Sequence, residues 1–155
     1  MMYEQHEHQR TNNGPDNEAM LNEIVRNTEM GKNTLDELIH ITEDRNLKGS
    51  LLGQQREYRK LNQQAHTALA ACDCRAKGEA PMKKMMAEMG IKYKTIGDRS
   101  NRNLAEMIIE GANMGVVSCE KVRKDHPQAS IGAKTMLDEL QSFEEQTIEQ
   151  MKNYL

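Results

Sequence analysis

The chain has 155 residues and a formal net charge of −3, with 29% charged and 37% hydrophobic residues. That length fits one domain with a real core. Basic residues are spread along the chain rather than gathered into a stripe, which argues against a nucleic-acid partner. No apolar run approaches the roughly 18 residues that a bilayer-spanning helix needs, so no membrane partner is expected. Pro (3), Trp (0) and Phe (1) are scarce while Met (12) is abundant. Few breakers and few β-branched or aromatic residues predict an all-α chain.

The N-terminal "MMYEQHEHQRTNNGPDNE" lacks the apolar stretch of a secretory signal, and the expected location is cytoplasmic. Residues 1–15 read as a disordered tail closed by the turn-rich "TNNGP", and 16–155 as a single helical-bundle domain. Asp16 or Asn17 is expected to cap the first helix, which runs to about Asn46. "RNLKGS" (45–50) reads as a turn, with Ser50 capping a second helix to about Cys74. "RAKGEAP" (75–81) breaks the pattern. A third long helix is expected over about Asp98–Lys124, then the turn "DHPQAS" (125–130), then a last helix over about Ile131–Tyr154. Three cysteines and no export signal predict reduced thiols rather than a disulfide framework.

Between the second and third helices, "MKKMMAEMG" (82–90) places Met82, Met85, Met86 and Met89 at i, i+3, i+4 and i+7. This predicts an amphipathic stripe that packs as core or as a lid over the bundle end. An apolar binding groove or thioether coordination of copper(I) are the alternatives it leaves open. Two architectures follow: a long, partly helical Met-rich connection (82–97), or one long third helix from Met82 kinked at Gly90 or Gly97. The first gives links in the order short, long, short, which is the order of a ferritin-like up-down bundle of four long helices.

"ELIH" raises the question of iron, because Glu37 and His40 have the Glu-x-x-His spacing of di-iron bundles. Helix phase answers it. The inward seam of the first helix is Leu21, Ile24, Thr28, Gly31, Leu35, Leu38 and Thr42. Glu37 lies about 140° and His40 about 160° from its centre at 100° per residue. Both are expected to face solvent, and no second Glu-x-x-His exists, so no metal site and no cofactor is predicted. In the second helix Leu51, Tyr58, Leu61, Ala65, Leu69 and Cys72 face inward, joined by Gln54. In the last helix Ala133, Leu137, Leu140, Thr147 and Met151 form the face. Glu144 falls near its middle, the one acidic residue predicted to point inward. A buried carboxyl must be paired, hydrogen-bonded or neutral. The expected partners are Tyr58, Gln54, Asn62 or Thr28, in a polar layer.

The third helix carries a main seam through Leu104, Met107, Gly111, Met114 and Ser118, and a second apolar stripe of Ala105, Ile109, Ala112 and Val116. A helix apolar on two sides is usually covered on both; the expected cover is the 82–97 segment folded back or a second copy of the chain, and these four are the candidate interface of a homodimer. "GANMG" (111–115) reads as a close-packing motif. No phosphate loop, triad or nucleophile elbow is present.

"MAEMGIKYKTIGDRS" (86–100), "AEMIIEGANMGV" (105–116) and the closing "QTIEQMKNYL" (146–155) resemble a bacterial branch of the ferritin-like four-helix-bundle superfamily. The resemblance spans most of 18–155. It implies the bundle, but its motifs are packing motifs, and the di-iron positions are not matched. The expectation is therefore a non-enzymatic bundle acting through protein association. The alternative is a metal- or small-ligand-binding bundle with a polar site around Glu144, Tyr58 and Gln54.

Overall fold

The computed structural model describes residues 2–72 and 96–155. Four α-helices are present among them: α1 (Met2–Ile41), α2 (Arg45–Ala71), α3 (Asn101–Asp125) and α4 (Ile131–Met151), with a terminal 3-10 turn at Lys152–Tyr154. The Met82–Met89 stripe and Gly90 lie outside the described residues.

Local chemistry sets the boundaries, and several differ from those read off the sequence. α1 reaches back to Met2 through "TNNGP", with Pro15 inside the helix, instead of starting at Asp16 or Asn17. Those two side chains cap a different element. Asp16 accepts from the Gln128 backbone N–H (2.9 Å) and contacts His126 Nδ1 (3.0 Å), and Asn17 accepts from the Ser130 N–H. They thus fasten the α3–α4 turn to α1. The hydrogen bond from His126 holds the Asp16 carboxyl below its ordinary range. Asp16→Ala is expected to lower the melting temperature in calorimetry, and the difference from the parent to shrink in acid as this carboxylate protonates. An unchanged melting temperature at neutral pH would show that water replaces it.

α2 begins at Arg45, not after Ser50. Asp44, in extended conformation, accepts from the Leu47 N–H at 2.8 Å, so the turn is only 42–44 and Ser50 lies inside the helix. A carboxylate cap also suits the positive end of the helix dipole. Ser100 caps α3 through Asn103 N (3.2 Å), and Ser130 caps α4 through Ala133 N (3.1 Å). Residues 96–100 are not helical, which excludes an unbroken third helix from Met82. Cys72, expected inward and reduced, is exposed and disulfide-bonded; Cys119 is free and buried.

Hydrogen bonds fix the helix directions. Thr28 with Asn62 and Asp36 with Gln55 set α1 against α2. Asp16 with His126 and Asn27 with Gly115 set α1 against α3. Gln54 with Gln150 and Tyr58 with Glu144 set α2 against α4. All these pairs, and the turn-linked α3 and α4, are antiparallel; α1 and α4 face each other along a diagonal and run the same way. Asn101, at the start of α3, bonds Asp44 at the α1–α2 turn. α2 therefore ends at one end of the bundle and α3 begins at the other.

The apolar core runs along the bundle axis, with Met20, Ile24, Leu38, Leu47, Leu51, Leu61, Leu104, Leu137, Leu140 and Met151 fully enclosed. Each such side chain contributes about 1.5–3 kcal/mol by leaving water. The seam of α1 is as the helix phase predicts, from Leu21 to Thr42, with Gly31 half-buried. The face of α4 is also as predicted, including Glu144 at 1% exposure. The phase of α3 is not. Its inward residues are Leu104, Ala105, Ile108, Ala112, Gly115, Cys119 and Val122, a face centred between the two apolar stripes. Gly115 and Cys119 are small and carry little apolar weight, so they do not advertise it. Of the candidate interface residues, Ala105 and Ala112 are buried inside the chain, and Ile109 and Val116 are half-buried. That stripe is therefore not an uncovered face.

Candidate functional site: a buried carboxyl beside a cavity

Glu144 meets one residue or more from each of the other helices. Asn27 of α1 donates its Nδ2 to Oε1 at 2.8 Å, and Tyr58 of α2 donates its hydroxyl to Oε2 at 3.0 Å. From α3, Gly115 lies so close that a β-carbon there would fall on the carboxyl. Asn27 is itself held by the Gly115 carbonyl (3.3 Å) and reaches the Cys119 sulfur (3.7 Å). The Tyr58 ring is fixed on two sides. Phe143 meets it edge-on at 4.9 Å and 86°, and a β-carbon at Gly31 would come within 2.5 Å of it. Two glycines on facing helices thus make the room that the carboxyl and the phenol occupy.

Burial sets the electrostatics. It pushes the Glu144 carboxyl up to about 8, assisted by the charge of Glu23 and opposed by the hydrogen bonds from Asn27 and Tyr58. At neutral pH the group is mostly the neutral acid. Burial, and then Glu144, push the Tyr58 hydroxyl well above its ordinary value and the Cys119 thiol up to about 12. The thiol therefore stays protonated and is no nucleophile.

A cavity of about 110 Å³ opens between α1 and α3 and ends on this cluster. Glu144, Tyr58, Asn27, Gln54 and Thr147 line its polar end; Leu35, Met107, Ile108 and Ala112 line its apolar wall. Its rim includes Arg26, Ser118 and Met114, the last of these 59% exposed. Arg26 is paired with Glu23 through two hydrogen bonds, at 3.0 and 2.5 Å. Gly111 also lines the cavity, and a β-carbon there would meet nothing within 4 Å. "GANMG" is therefore not a close helix approach here: Gly115 accommodates a carboxyl and Gly111 leaves space open.

Of the predicted polar layer, Glu144 and Tyr58 are joined. Gln54 lines the same cavity but donates to Gln150 Oε1 (3.2 Å), and its own Oε1 is buried without a hydrogen-bond partner. Asn62 and Thr28 pair with each other at 3.0 Å, beside the site. Asn27 is the residue that the sequence reading misses. Its position, three after Ile24 and four before Gly31, is the available signal, but a polar residue scores against an apolar seam. His40 is exposed and Glu37 half-buried. Among the described residues no group of three or more His, Cys, Asp or Glu side chains is placed to hold a metal, and no helix is long and apolar enough to cross a membrane.

No protein family, curated protein or solved structure matches the chain.

Proposed function

We propose that the protein is a small-ligand-binding helical bundle of the ferritin-like kind, with its ligand held between α1 and α3 against Glu144. The observation that carries this reading is a carboxyl 1% exposed at the closed end of a cavity. A purely structural core gains from filling space and from apolar side chains; a void and a buried acid both cost stability. Here the two costs coincide: Gly115 makes the room for the acid, and Gly111 leaves the space beside it open. Helix directions support the ferritin-like reading, because a chain that leaves α2 at one end and enters α3 at the other has the crossover of that topology. Iron chemistry is no part of the proposal, since Glu144 is hydrogen-bonded to an amide and a phenol rather than to a second carboxylate or an imidazole.

Association through α3, the other reading of the sequence, has less support. With Ala105 and Ala112 enclosed, the large apolar side chains exposed on α3 are Met114 and Val117.

The test is protein-observed NMR with small amines, alcohols and carboxylates of about four heavy atoms. Shifts are expected to cluster on Asn27, Tyr58, Ala112 and Glu144, and to vanish in Gly111→Leu, whose side chain occupies the cavity. Scattered shifts, or shifts that persist in Gly111→Leu, would refute the proposal.

A further inference from the structure

Resting on that reading, we infer that the cavity takes a small primary ammonium ion with a compact apolar body, its N–H groups directed at the Glu144 carboxylate. The hydrogen-bond inventory of the polar end points this way. The Asn27 amide and the Tyr58 hydroxyl already donate to Glu144, and the Gln54 amide group donates to Gln150. What is left over, once Glu144 ionises, is acceptor capacity. Each oxygen of the ionised carboxylate has a second lone pair. An ammonium has three donors and no acceptor, which is the complement of this set. A ligand carboxylate or phosphate would instead find at most the single O–H of the neutral Glu144 acid to bond it.

Charge selects the ammonium over a neutral donor. In a weakly polar enclosure an ionised carboxyl is favoured only with a counter-charge close by. The cation nearest the mouth, Arg26, is paired with Glu23. An entering ammonium supplies the missing charge: Glu144 ionises, its proton passes to solvent, and the carboxylate–ammonium pair remains. The other groups facing Glu144 do not take that proton's place. Tyr58 on α2 and Cys119 on α3 are both held protonated, and Glu23 on α1 only raises the affinity of Glu144 for its proton.

Size limits the body. An apolar cavity of ~150 Å³ takes benzene; at about 110 Å³ the match is smaller than benzene, a branched body of about three carbons beside the ammonium. Its apolar part would lie on Met107, Ile108 and Ala112.

Isothermal titration calorimetry of the full chain with 2-propylammonium, 2-propanol and acetate tests this. The ammonium is expected to bind at least tenfold more tightly than the alcohol, and the carboxylate not at all. Proton release, read from buffers of different ionisation enthalpy, should accompany only the ammonium. Its affinity should rise by up to tenfold per pH unit between pH 6 and 8, since it binds the form of Glu144 populated above about 8. Glu144→Gln should abolish the preference and the pH dependence. Should that variant not fold, the pH profile and proton count of the parent, with Gly111→Leu as the blocked control, decide alone. An alcohol that binds as tightly as the ammonium, or a bound carboxylate, overturns the ammonium inference and leaves the small-ligand reading standing. No binding by any of the three overturns both.

Discussion

Gly115→Ala is expected to destabilise the protein by roughly 1–3 kcal/mol in urea unfolding, although alanine is the better helix former by about 0.5–1 kcal/mol. The added methyl falls on the Glu144 carboxyl. To make room, the carboxyl must leave the hydrogen bond from Asn27 at 2.8 Å, and a buried donor is then left unpaired, which costs about 1–3 kcal/mol. Gly31→Ala is expected to cost a similar amount for a steric reason. The methyl comes within 2.5 Å of the Tyr58 ring, which cannot retreat without losing Phe143 and Glu144. Gly111→Ala is the control. It stands in the same helix as Gly115, with nothing within 4 Å of its new β-carbon, so it should stabilise by about 0.5–1 kcal/mol. If all three variants move stability in the same direction, helix propensity rather than the carboxyl cradle governs these positions.

The second large effect is on pH dependence. The folded-state value of Glu144, about 8, stands above its ordinary 4.5. Between these two values the folded chain holds a proton that the unfolded chain has lost. Stability therefore falls as pH rises across the window, by up to about 1.4 kcal/mol per pH unit, and levels off above it. Below pH 4.5 both states are protonated and the group contributes no slope. The parent should thus lose stability relative to Glu144→Gln by several kcal/mol from pH 5 to pH 8. This sign is opposite to that of Asp16, whose lowered value weakens the fold only in acid. A flat difference between parent and Glu144→Gln would mean that Glu144 is solvated in the folded protein. A saturating amount of the ammonium ligand should flatten it too, because the ligand supplies the counter-charge.

The sequence by itself determined the helices and most of their faces. Leu21 through Thr42, Leu51 through Leu69 and Ala133 through Met151 recur at helical spacing, and burying such stripes on one another is what makes a bundle. The same arithmetic turned His40 outward and Glu144 inward, because a side chain's direction on a helix follows from its number alone. It was less reliable where the inward face is built from small or polar residues. Asn27, Gly115 and Cys119 carry little apolar weight, so the phase of α3 was drawn toward Met107 and Met114, which line the cavity. Boundaries also depended on partners far along the chain. Asp16 and Asn17 look like helix caps, but their acceptors serve the α3–α4 turn about 110 residues away. Only the tertiary structure decided what Glu144 meets. Asn27, Tyr58 and Gly115 lie on three different helices, and their convergence depends on helix register, which no local pattern encodes.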